Sequence, residues 1–253
     1  MIFGIGMEHK VEVEVCVYSL ESCLNAQAAG ADRVELCTAM YDGGLTPSAA
    51  AIRMARNSLS IELYVMIRPR GGDFLYSDLE FQQMKEEILY AKSCGADGIV
   101  SGILSADGRV DTERMRVLVE CAAPLKVTFH RAVDMVADME EALEDVIRAG
   151  CYRILTSGGE NDVERGKENI RRLVDLAKGR IKIMAGAGVN TANTPWLIKN
   201  GVDAIHLSGK NHRDSKMIYR NPRVSMGGVS GIPEYEEFYS DVEKIEAVVK
   251  LIN

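Results

Sequence analysis

This sequence has little of what marks many specialised binding proteins. It contains one tryptophan, four histidines and no apolar run close to the roughly 20 residues of a membrane span. A membrane partner is therefore not expected. Basic charge is not in excess either: the formal net charge is −7. No basic face is then available to displace counterions, which argues against a nucleic-acid partner. The six cysteines (Cys16, Cys23, Cys37, Cys94, Cys121, Cys151) include no Cys-x-x-Cys pair, so neither a zinc ribbon nor a thioredoxin-like motif is present. The apolar start, Met1 to Met7, is too short for a secretory signal and lacks its basic flank. Residues 1–7 read as an extension to a domain over 8–253, with reduced thiols in a cytoplasmic setting.

What is present is a core. The chain has 253 residues, 47% of them hydrophobic, which suits one large domain. Eight β-prone segments recur: Val11–Val17, Arg33–Cys37, Glu62–Ile67, Gly98–Gly102, Lys126–His130, Arg153–Ser157, Ile181–Ala185 and Ala204–Ser208. Each gap holds a helical pattern, such as Thr112–Cys121 or Asp138–Ala149. Alternating strand and helix predicts parallel strands with crossover helices, and eight such units predict an α/β single-domain (β/α)8 TIM barrel. Gly30, Gly95, Gly150 and Gly201 each stand three residues before an even-numbered strand, as left-handed helix ends would. An open doubly wound sheet is the alternative, and it would not favour so regular a count. The glycine-rich run Ser225–Gly231 reads as an irregular tail before a final helix, about Ser240–Leu251.

Alternation tells which strand residues enter the barrel. Val11, Val13, Val15 and Val17 suit the helix-facing side, so Glu12, Glu14 and Cys16 point inward. In the second strand Arg33, Glu35 and Cys37 point inward. Carboxylates inside a barrel are costly unless paired or near the wet mouth. Glu12 and Arg33 are expected to neutralise one another low in the barrel, which leaves Glu14 and Glu35 as catalytic candidates. His130 ends the fifth strand on the same inward side and completes the candidate acid–base set.

The third strand ends in Arg68-Pro69-Arg70-Gly71-Gly72-Asp73. Two cations past a buried strand suggest an anion site at the mouth; the plainer reading is a loop in which Asp73 pins an arginine. Arg131, Ser157, Gly158, Gly186, Gly188, Ser208 and Gly209 lie at other strand ends, where exposed backbone N–H groups suit a phosphate. Tight turning between strand and helix would need the same glycines. No lysine occupies an inward strand end on the C-terminal side, which argues against a Schiff base.

Glu14-Val15-Cys16, Gly30 to Cys37, Gly43-Gly44-Leu45-Thr46-Pro47-Ser48, Ile67 to Phe74, Val127 to Ala132, Leu155 to Gly158 and Ile183 to Val189 together resemble the copper homeostasis protein CutC family. The resemblance runs from about Glu8 to the C-terminal region. It implies a cytoplasmic TIM-barrel protein that controls copper levels and binds copper, as a homodimer or larger homo-oligomer. Cys16 and Cys37 are the best donors for Cu(I), with Met66 or His130 as a possible third; two small buried core residues would look the same. Two readings follow. One is copper binding at these thiols. The other is an enzyme performing acid–base chemistry with Glu14, Glu35 and His130 on a small anionic substrate, phosphorylated or not, held by Arg68, Arg70, Arg131 and the glycine-rich ends.

Overall fold

The computed structural model of the chain describes residues 10–226 and 231–252. The expected extension, Met1 to Met7, and part of the glycine-rich tail lie outside these residues. Eight parallel strands close into a barrel in sequence order: β1 (Glu12–Val17), β2 (Arg33–Leu36), β3 (Glu62–Met66), β4 (Gly98–Ser101), β5 (Lys126–Phe129), β6 (Arg153–Thr156), β7 (Lys182–Gly186) and β8 (Ala204–Leu207). Helices α1 (Leu20–Ala28), α2 (Ala49–Ser58), α3 (Asp78–Ser93), α4 (Thr112–Ala122), α5 (Met139–Arg148), α6 (Lys167–Ala177) and α7 (Thr194–Lys199) follow strands 1 to 7 in turn, and α8 (Val242–Val249) comes last. This is the (β/α)8 fold that the alternation predicts.

The sequence sets the element ends locally. Ser77 accepts from the amide of Glu80 while the Glu80 carboxylate accepts from the Ser77 amide, a reciprocal cap on α3. Gly30, Gly95, Gly150 and Gly201 adopt φ of +83°, +83°, +85° and +80°, the left-handed turn each helix needs before its strand begins. Val13, Val15, Val34, Leu63, Ile99 and Ile154 leave the barrel outward and are buried against Cys23, Ile52, Ile88, Met115 and Leu143 of the helices. This helix–sheet layer is the main apolar core.

The barrel interior is partly ionic. Glu14 of β1 aligns with Arg33 of β2, and Cys16 with Glu35. Arg33 Nε donates to Glu14 at 2.5 Å, and its Nη1 lies 3.0 Å from Glu12 and 3.1 Å from Glu62. The pairing of Glu12 with Arg33 exists, but Arg33 is shared, and Glu14 takes the closest contact. Arg153 Nη2 reaches Glu12 at 2.5 Å. Tyr64 lies within cation–π distance of both arginines, 4.8 Å from Arg33 and 5.7 Å from Arg153.

One element differs from expectation. Lys210–Asp214 (β9) and Glu236–Ser240 (β10) form an antiparallel ribbon outside the barrel. Its side chains are mostly polar and exposed, so no apolar alternation announces it in the sequence. The final helix is shorter than expected, because Asp241 caps it by accepting from the amides of Glu243 and Lys244.

Candidate functional site

A cavity of about 900 Å³ opens at the C-terminal ends of the strands. Its wall includes Cys16, Glu35, Arg68, His130 and His206, so residues far apart in the chain meet there. Glu14 lies just beneath, fully buried.

The densest chemistry is at the floor. Cys16 and Cys37, on the ends of β1 and β2, bring their sulfurs to 3.9 Å. Cys37 Sγ stands 3.5 Å from Glu35 Oε2. His206 of β8 points inward, with Nδ1 2.7 Å from Glu14 Oε1 and Nε2 3.7 Å from Glu35 Oε2. Donor atoms of Cys16, Glu35 and His206 all lie within 4.8 Å of one another. Gly186 makes this possible: a Cβ there would sit 2.5 Å from Leu155 Cδ1 and 3.2 Å from His206 Cβ.

The electrostatics are strongly divided. Burial opposes ionisation of Glu14, yet Arg33 and then His206 outweigh it and hold its carboxyl well below the usual range. Glu35 goes the other way: burial, then the neighbouring Cys16 charge, raise it far above the usual range. The hydrogen bond from Cys37 lowers the Cys16 thiol against burial, with His206 adding to the effect. Cys37 is raised by burial and by Cys16. Burial disfavours the charged form of His206, but Glu35, Cys16 and Glu14 together raise it well above an ordinary histidine. The floor thus favours charge on Glu14, Cys16 and His206 and disfavours it on Glu35 and Cys37.

Arg68 and His130 form the opposite wall. Arg68 Nη1 donates to the carbonyls of Asp42 at 2.6 Å and Gly44 at 3.1 Å, and Nη2 to that of Gly72 at 2.8 Å. His130 Nδ1 accepts from the Ala132 amide at 3.2 Å. Burial, then the charge of Arg68, push His130 down to about 3. His130 is therefore neutral near pH 7 and packs on Phe74 rather than contributing to the sulfur cluster. Met66 packs with the two cysteines, but the imidazole brought to them is His206, not His130.

The other expected anion contacts are dispersed. Arg70 turns away from the cavity and pairs with Asp73 at 2.9 Å and Glu80 at 2.7 Å, the pinned-loop arrangement. At the end of β6 the cradle exists but is filled from within. Asp134 accepts from the amides of Ser157 and Gly159 and from the hydroxyls of Thr156 and Ser157, and it pairs with Arg131 Nε at 2.8 Å. Gly158 and Gly166 serve close packing, since a Cβ on Gly158 would lie 2.4 Å from the Gly166 carbonyl oxygen. Gly188, Ser208 and Gly209 do line the cavity. Gly209 also lets Ile245 of α8 approach, where a Cβ would stand at 2.6 Å.

Sequence reasoning missed His206, although Ile205 and Leu207 flank it and alternation alone places it inward. It also missed Lys210 and Lys244, which border the cavity with no carboxylate at ion-pair distance among the described residues.

The sequence and the fold both match known proteins. The family model described as the CutC family matches residues 11–211. The human copper homeostasis protein cutC homolog is 45% identical over 237 residues, covering 93% of this chain and 87% of the relative. A family protein CutC of Bacteroides thetaiotaomicron is 45% identical over 245 residues, covering 96% and 98%. The crystal structure of a CutC protein from Streptococcus agalactiae superposes with a TM-score of 0.74 at 35% identity, covering 78% of this chain and 98% of that one. The chain belongs to the CutC family.

Proposed function

We propose that this protein takes part in copper homeostasis by binding Cu(I) at Cys16 and Cys37, with His206 as the adjacent imidazole donor. The observation that carries this is the 3.9 Å separation of the two buried sulfurs, with the Cys16–Glu35–His206 donor cluster beside them. Zn–S bonds of about 2.3 Å place thiolates of one ion at a similar separation, and Cu(I) favours the same soft ligands in small number. The donor set fits a soft ion better than a hard one, because burial disfavours charge on its one carboxylate, Glu35, and the other groups are sulfur and imidazole. Copper here is cargo. It would displace protons from Cys37 and His206, so binding strengthens as pH rises.

The names of the curated relatives support this reading. All six cysteines are free thiols, which suits a cytoplasmic protein. Among the described residues no helix is long and apolar enough to cross a membrane. The family also implies a homo-oligomer. Met217, Ile218 and Tyr219, strongly exposed beyond β9, are the apolar surface a second copy would cover, and a solution mass measurement tests that.

The acid–base reading has less to stand on. Glu14 is committed to Arg33 and His206, and His130 is held neutral with Nδ1 engaged.

The test is competitive Cu(I) titration against a chromogenic chelator for wild type, Cys16→Ser, Cys37→Ser and His206→Ala. Each cysteine variant is expected to lose at least about tenfold in affinity. Wild-type affinity in both cysteine variants would remove the site.

A further inference from the structure

We propose that the barrel cavity binds a small organic carboxylate, whose acid group accepts hydrogen bonds from Nε of Arg68 and Nε2 of His130. The two residues share the cavity wall, and both pack on Phe74: the guanidinium carbon is 5.0 Å and the imidazole centre 4.8 Å from its ring.

Arg68 is 7% exposed, and no carboxylate lies at ion-pair distance from it among the described residues. Three of the five N–H donors of a guanidinium go to main-chain carbonyls. Carbonyl dipoles fix its position without neutralising it, and a buried cation lacking a counter-anion is costly. Its Nε is buried with no hydrogen-bond partner among the described residues. His130 is 4% exposed, and its Nε2 is likewise buried with no partner among the described residues. Nδ1 accepts from Ala132, so the ring proton belongs on Nε2, which is then a donor lacking an acceptor. The ring cannot turn freely, since Gly102 is cut back against it: a Cβ there would stand 2.7 Å from the imidazole. The Tyr76 hydroxyl is also buried and interacts with Arg68. Buried polar groups are nearly always bonded, so two unpartnered donors on one cavity wall point to an acceptor between them.

The missing group is acceptor-only and negative, which excludes a metal cation beside Arg68 and fits an ionised carboxylate. Phosphate fits less well. The amide cradle after β6 is filled by Asp134, and the N-terminus of α8 is taken by Asp241. What remains is a pair of side-chain donors, suited to two oxygens of a planar acid. The cavity, about 900 Å³, lies in the range of organic ligands and is far larger than an ion requires. Its other walls include Leu155, Val189 and Val248, which suit a carbon skeleton. Lys210 and Lys244 at its border would draw anions to the mouth of a protein whose net charge is −7.

Carboxylate binding at Arg68 and His130 does not require copper at the cysteines. The test uses acetate, 2-oxoglutarate and glutathione as carboxylate probes, with inorganic phosphate and glycerol 3-phosphate as the phosphate arm. Binding is read by calorimetry and by the ¹⁵N resonance of His130 Nε2 in histidine-labelled wild type. At least one carboxylate is expected to bind more tightly than about 1 mM and to shift that resonance, with affinity reduced at least about tenfold in Arg68→Gln and His130→Asn. Three results would overturn the proposal: an unmoved His130 resonance with all three carboxylates, tighter binding of both phosphate compounds, or unchanged affinity in the two variants. The resonance is read in wild type, so a variant that fails to fold does not block the test. A parallel wild-type Cu(I) titration separates the two proposals: carboxylate binding without copper binding overturns only the copper site, and the reverse result overturns only this one.

Discussion

His206 Nδ1 stands 2.7 Å from Glu14 Oε1, a contact between the last barrel strand and the first. It fixes the imidazole so that Nε2 faces Glu35 and the sulfur cluster. His206→Ala leaves Glu14 buried with Arg33 as its closest partner. A loss of about 1–3 kcal/mol is expected in urea unfolding, together with weaker Cu(I) binding. His206→Gln, which can restore a donor to Glu14, is expected to recover much of the stability but not the copper affinity.

The two inward-facing histidines predict opposite pH dependences. His206 is raised in the fold, so its contribution is fully present below the unfolded histidine value of about 6.5 and is lost as pH rises through its higher folded value. His130 is lowered to about 3, so it opposes folding as pH falls from about 6.5 toward 3, where the unfolded chain binds the proton and the fold does not. Chemical denaturation of His130→Asn across pH 4–7 is expected to show a shallower acid loss than wild type. Parallel curves for the two proteins would show that His130 does not titrate this way.

Asp134 occupies the amide cradle after β6, and Arg131 depends on it. Asp134→Ala is expected to destabilise the protein by about 2–4 kcal/mol, since several donors lose their acceptor at once. It is also expected to create binding of inorganic phosphate or sulfate that wild type lacks at this place, detectable as anion-dependent thermal stabilisation of the variant.

Gly98 is a packing requirement for the ionic interior. A Cβ there would lie 2.5 Å from the Tyr64 ring, which is hemmed in by Arg33 and Arg153. Gly98→Ala is expected to cost about 1–3 kcal/mol or more, because a ring held between two guanidinium groups has little room to yield. A thermal midpoint equal to wild type would contradict this account.

The fold was legible because its signals are local. Valines at alternate positions of β1 and glycines three residues before each even-numbered strand state their roles within a few residues. The β9–β10 ribbon was not legible, since Lys210–Asp214 is polar throughout and gains its partner about two dozen residues later. In the site, inward alternation correctly brought Cys16 to Cys37 and placed Glu35 and His130 at one mouth. Arg68 and Arg70 look equivalent in the chain. β3 ends at Met66, so strand alternation governs neither, and the two guanidinium groups part company in the loop beyond.

Sequence alone therefore determined the barrel, its eight-fold count and which strand residues enter it, because strand period and helix termination act between near neighbours. The partnerships were decided by the closed tertiary structure: Glu14 with Arg33 and His206, Asp134 in the amide cradle, and the unsatisfied donors of Arg68 and His130. Those depend on the stagger between strands and on the space each loop leaves, quantities fixed only when all eight strands close on one another.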